Sequence, residues 1–190
     1  MSDWLPMQGL SSSVVIEFCK LCSWAYETWL NHLELFDRNP RATELRQSLA
    51  GDTFARLSII SQEYALLQVV KLHDRAVVSG YATLGIDYII EFGDWSEPVR
   101  SHLESLAMKL DEFASQLRDA RNKSLSHNDL ANMMAGASLG AFGDGEDEEY
   151  FKVLQEFVNI AHDEKIGGPW PFNDLVKNDV VTFLAMIRSS

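Results

Sequence analysis

The sequence predicts an all-α protein, an up-and-down bundle of four main helices with additional short helices. Three observations carry that reading. Apolar residues recur at three- and four-residue steps in four long segments. Proline and glycine pairs separate those segments. Each amphipathic helix then needs another to cover its apolar face, which a bundle supplies economically.

The first helix opens on Ser11, Ser12 or Ser13, any of which can cap it. Val14, Phe18, Leu21, Cys22, Ala25, Trp29 and Leu33 form its apolar face, and Asn39-Pro40 breaks it. A short helix is expected over Ala42 to Leu49. Gly51-Asp52 starts the second long helix, with Phe54, Leu57, Ile60, Tyr64, Leu67 and Val70 inward and an end near Lys71 to Asp74. Residues Val77 to Phe92 are rich in β-branched and aromatic types. A short helix and turns are expected there, because an isolated strand pair across Gly80 and Gly85 has nothing to join.

Glu97-Pro98 opens the third long helix, since proline is tolerated in a first turn. Its apolar face reads Leu103, Leu106, Leu110, Phe113, Leu117, and one further turn along lies Arg121. Ala135 to Gly145 holds four glycines and reads as a loop. It lacks the lysine and hydroxyl residue of a phosphate loop. Tyr150, Phe151, Leu154, Phe157, Val158 and Ala161 define the fourth helix, which Gly167-Gly168-Pro169 ends. A last helix runs from Asn173 or Asp174 through Ile187.

At 190 residues, 46% hydrophobic and 23% charged, the chain reads as one globular domain spanning 1–190. No apolar run is long enough to span a membrane, and no basic region precedes an apolar run as in a secretory signal. A cytoplasmic location is therefore expected, with no membrane partner. Cys19 and Cys22 have C-x-x-C spacing but lie inside a helical run without a second pair, so they are expected in the core. The net charge of -12 argues against binding long nucleic acid non-specifically, and no DNA partner is expected. Asp144, Glu146, Asp147, Glu148 and Glu149 concentrate that acidity and read as a solvated loop and helix start. No cluster has metal-ligand spacing, so neither metal nor cofactor is expected.

The sign reverses locally around Arg118, Arg121 and Lys123, which face only Asp119 between residues 118 and 127. There Arg121, Asn122 and His127 come together where the apolar stripe runs out. Arginine's planar fork holds a phosphate through two donors. Histidine moves a proton near neutral pH. A 2′-hydroxyl attacking the adjacent phosphorus needs both services and no metal. On a straight helix, however, Arg121 and His127 stand roughly 240° and about 9 Å apart. They share a site only if the helix ends near Ser124 to Ser126, or if a second subunit supplies one of them. Ser126, Asn128 and Asp129 favour such an ending. The structural alternative pairs Arg121 with a carboxylate and His127 with a backbone carbonyl. His73-Asp74, at the end of the second helix, is a candidate support for Arg121. His32 and His162 lie near helix ends, where a satisfied histidine is ordinary, and His102 lies early in the third helix.

The run Leu117-Arg118-Asp119-Ala120-Arg121-Asn122-Lys123-Ser124-Leu125-Ser126-His127-Asn128-Asp129 resembles the signature of the HEPN superfamily, particularly its abortive-infection-type members. Those carry an arginine, a polar neighbour, and a histidine after four to six intervening residues. Here Arg121 is followed by Asn122, and five residues intervene before His127; Asn122-Lys123 and His127-x-Asp129 also match that branch. Leu72-His73-Asp74 is similar to a Leu-x-Asp corner in those relatives. Ser126 is a departure, standing where relatives near this branch often have alanine. The resemblance implies a helical bundle over roughly residues 12 to 187. It also implies a homodimer whose two motifs line one cleft, and a metal-independent ribonuclease of toxin–antitoxin or antiviral type. Arg121 would hold the scissile phosphate, His127 would transfer protons, and Asn122 would assist. Some relatives have lost catalysis and only bind RNA or a partner. The alternative is accordingly a non-catalytic protein that binds an antitoxin-like partner, RNA or a small nucleotide.

Overall fold

The computed structural model describes residues 10–38, 40–47, 51–120, 142 and 145–188. These are almost entirely α-helical. Helix α1 (Ser12–His32) starts at the serines, where the N–H groups of Val14 and Val15 donate to the Ser11 carbonyl at 3.0 and 3.2 Å. Its end widens into a π-helical turn, Leu33–Asp37, in which Arg38 N–H reaches back five residues to Leu33 O at 2.7 Å. Helix α2 (Pro40–Arg46) begins on proline, whose fixed φ suits a first turn. Helix α3 spans Gly51–Lys71.

A two-residue hairpin follows, with β1 (Val77–Val78) antiparallel to β2 (Tyr81–Ala82) and Val78 opposite Tyr81. Both turn residues have positive φ, 53° at Ser79 and 84° at Gly80. That is the backbone a tight hairpin turn demands. Thr83 N–H adds a rung to Ala76 O at 2.8 Å. The expectation of helix and turns alone is corrected here. The short helix is present as α4 (Ile86–Phe92), but a turn able to close on two residues gives the strands each other to pair with.

Helices α5 (Glu97–Ala120), α6 (Glu146–Lys165) and α7 (Val176–Arg188) complete the described chain. Four main helices is too low a number. Among the described residues α1, α3, α5 and α6 have 20 to 24 residues, and α7 has 13. Val180 and Leu184, one turn apart, bury a face of α7 and hold it as a full element.

The chain divides into two compact units, Met1–Cys22 with Val69–Pro171, and Ser23–Gln68 with Phe172–Ser190. In the first, α5 packs chiefly against α6. Leu103, Leu106, Leu110 and Leu117 are buried as their spacing predicts, and so are all six expected positions of α6. Each buried Leu, Val or Phe side chain among them contributes about 1.5–3 kcal/mol by leaving water. Phe18 meets Phe157 edge-on at 5.8 Å between ring centres. Cys19 and Cys22 are free and fully buried. Burial pushes the Cys19 thiol up to about 12 and the Cys22 thiol well above its usual value. Protonated thiols in a core neither ligate metal nor attack. Of the acidic run, Glu148 and Glu149 are solvated as expected, whereas Asp147 is buried. In the second unit Phe36 packs on Phe54 at 4.9 Å, and Tyr26 stacks on Phe172 at 5.2 Å.

Candidate functional site

Helix α5 is the element that leads to the Arg121 motif. Its apolar stripe is buried without a break from Leu103 through Ala114 to Leu117, and the helix runs to Ala120. The next residue in sequence is Arg121. Arg121, Asn122, Lys123, His127 and Asp129 lie outside the described residues, as does most of the glycine-rich loop.

His73 and Asp74 are described. Past Lys71 the chain tightens into a corner. Leu72, His73 and Asp74 each donate N–H to a carbonyl three residues back, at 3.1, 3.0 and 3.2 Å. The Leu72 carbonyl takes Ile86 N–H at 2.8 Å, which ties the corner to the start of α4. Leu72 and His73 are thereby buried, while Asp74 stays partly exposed.

The corner aims the His73 imidazole at two helices. Nδ1 lies 2.8 Å from Asp111 Oδ1 on α5, and Nε2 lies 2.9 Å from the Tyr150 hydroxyl on α6. A carboxylate only accepts, so Nδ1 donates to Asp111, and in the neutral ring Nε2 accepts the phenolic proton. The His73 side chain is wholly buried, whereas that of Asp111 is half exposed. An aromatic shell of Phe113, Phe142 and Phe151 surrounds the Tyr150 ring, with ring centres 6.3, 5.5 and 5.1 Å away. The network is thus a polar seam in an apolar setting, where hydrogen bonds gain electrostatic strength.

Sequence reasoning singled out His73 but not its partners. Tyr150 was visible only as an inward aromatic position. Asp111 was visible only as a carboxylate beside Leu110. Nothing in a linear pattern joins residues 38 and 77 positions away.

The other described histidines, His32, His102 and His162, also have partners. His162 Nδ1 donates to Gly168 O at 2.7 Å and closes the end of α6. His102 is half exposed and faces Glu156 at 3.2 Å. His32 is buried, with Nε2 3.3 Å from Asp37 Oδ2 across the π-helical turn. Arg46 donates to Asp37 Oδ1 at 3.2 Å and to the Phe36 carbonyl. His32 Nδ1 has no hydrogen-bond partner among the described residues. Desolvation lowers the His32 pKa below its usual value, and Arg46 adds to this, while Asp37 opposes it. Among the described residues, no three His, Cys, Asp or Glu side chains are placed to hold a metal ion. No helix among them is long and apolar enough to cross a membrane.

The family model HEPN_AbiU2 (AbiU2) matches residues 13–183. The chain belongs to the HEPN superfamily, in its AbiU2-like branch. HEPN membership places it in a superfamily of toxin and antiviral ribonucleases. The match extends from the first turn of α1 into α7, so the residues from Arg121 to His127 fall well inside it. No curated protein and no solved structure matches this HEPN chain.

Proposed function

We propose that this AbiU2-like chain is a metal-independent endoribonuclease of toxin–antitoxin or antiviral type, acting in the cytoplasm as a homodimer. Arg121 holds the scissile phosphate through its two-donor fork, with Asn122 assisting. His127 takes the proton from the 2′-hydroxyl or gives one to the leaving 5′-oxygen. The new bond joins the 2′-oxygen to phosphorus, and the bond to the 5′-oxygen breaks. Two subunits contribute motifs to one cleft, which answers the mismatch of Arg121 and His127 on a straight helix. His73 and Asp74, with Lys123 and Asp129, are supporting residues. The His73 contribution runs through the seam that links the α3 corner to α5 and α6.

The family match across the Arg121 to His127 motif supports this reading most. The test is RNA cleavage, together with growth of an expressing host, for the wild type and His127→Ala. Loss of at least ~10²-fold in cleavage and loss of toxicity are expected, with the circular dichroism unchanged. A wild type that neither cleaves RNA nor harms a host through His127 sinks the proposal. The net charge of -12 favours a second reading, a non-catalytic HEPN protein that binds an antitoxin-like partner. Wild-type protein that captures a partner but is inert towards RNA would select it.

A further inference from the structure

Helix α3 carries an apolar stripe that is exposed among the described residues. Leu57 is 50% exposed, Ile60 59% and Tyr64 45%. Ile59, off the stripe, is 53% exposed as well, and burial along α3 begins only at Ala65, Leu66 and Val69. Trp24, also 50% exposed, lines the same cleft as Ser61 and Tyr64, so the apolar patch continues from α3 onto α1. Large apolar side chains left in water over successive turns mark a surface that a partner covers.

The stripe has the spacing of a helix-pairing seam. Thr53, Leu57, Ile60, Tyr64 and Leu67 alternate steps of four and three, the a/d pattern of a heptad. Arg56 and Glu63 occupy one flank of that seam, seven residues apart. Neither has an ion-pair partner among the described residues. If two copies of α3 run antiparallel with Leu57 against Ile60 of the partner subunit, Arg56 falls opposite Glu63 of the partner subunit. Two-fold symmetry makes that pair twice. The seam is therefore self-complementary in shape and in charge, as an isologous interface requires.

We propose that α3 pairs antiparallel with α3 of a second copy through Leu57, Ile60 and Tyr64, with Arg56 and Glu63 fixing the register. The inference rests on the two-subunit part of the proposed function and not on its chemistry. From Thr53 to Tyr64 the seam is roughly 17 Å long. That is short beside the ~800 Å² per partner of a standard interface, so affinity on the order of micromolar is expected.

Sedimentation of the full chain from about 1 to 100 µM tests it. The wild type is expected to dimerise, and Leu57→Asp with Ile60→Asp to be monomeric at unchanged circular dichroism. Arg56→Glu and Glu63→Arg should each weaken the dimer roughly tenfold, and the double exchange should restore it. Wild-type protein that stays monomeric overturns the proposal together with the two-subunit reading. A dimer indifferent to the aspartates overturns only this surface. Loss of dimer by the aspartates without rescue in the charge exchange overturns the antiparallel pairing and so the proposal. RNA cleavage is scored separately and fails or survives on His127 alone.

Discussion

His73 holds Asp111 at 2.8 Å across 38 residues of sequence, and the same ring reaches the Tyr150 hydroxyl at 2.9 Å. One imidazole thus joins the α3 corner to α5 and α6. His73→Ala removes both bonds and opens a cavity. A loss of about 2–4 kcal/mol is expected from urea unfolding. In a chain of this size that lowers Tm by roughly 2–4 °C for each kcal/mol. Tyr150→Phe removes one hydroxyl and should cost about 1 kcal/mol. Equal, small effects for the two variants would show that the seam contributes no more than its separate contacts.

His32 makes stability depend on pH in a defined direction. Burial holds its folded pKa below the unfolded value of about 6.5. Between those two values the unfolded chain binds more protons. Its contribution is therefore intact above pH ~6.5 and is lost progressively as pH falls through that value towards the folded one. Thermal melts at pH 7.5 and 5.5 should show a larger drop for the wild type than for His32→Phe. An identical drop in both would refute the assignment.

Gly93 leaves room for an indole. A Cβ there would stand 1.9 Å from Trp95 Nε1, which donates to Ile89 O at 2.8 Å. Gly93→Ala should displace the buried ring and cost about 2–3 kcal/mol. Trp95→Phe alone removes the hydrogen bond without the clash. Unfolding curves that rank Gly93→Ala as the milder change would contradict this account.

Arg121→Lys tests what kind of phosphate contact the motif makes. Lysine keeps the charge and loses the planar fork. Cleavage should fall at least ~10-fold and should be unaffected by EDTA in both proteins. Full activity in the lysine variant would mean that charge alone suffices there.

The amphipathic helices were legible because one face of each is apolar and the other polar. That holds for α5 from Leu103 to Leu117 and for α6 from Tyr150 to Ala161. Helix α3 shows the limit of the same signal. Its periodicity marks Leu57, Ile60 and Tyr64 as a face to be covered but does not say by what, and within this chain they are exposed. The hairpin escaped because two-residue strands carry no alternation. Of the candidate site, the motif itself was readable as local chemistry. The Asp111 and Tyr150 partners of His73 were not, since they meet it only through the packing of distant elements.

The π-helical turn at Leu33–Asp37 leaves this stretch one residue longer than a regular helix would need. The wide turn sets Asp37 five residues after His32 on the face that a regular helix reserves for the fourth. Shortening the stretch by a single residue would let ordinary four-residue bonding resume with the acid still on the imidazole's face. Replacing Asp37 would instead remove the carboxylate to which Arg46 donates. Natural variants should therefore tolerate a one-residue deletion before Asp37 more readily than loss of that carboxylate.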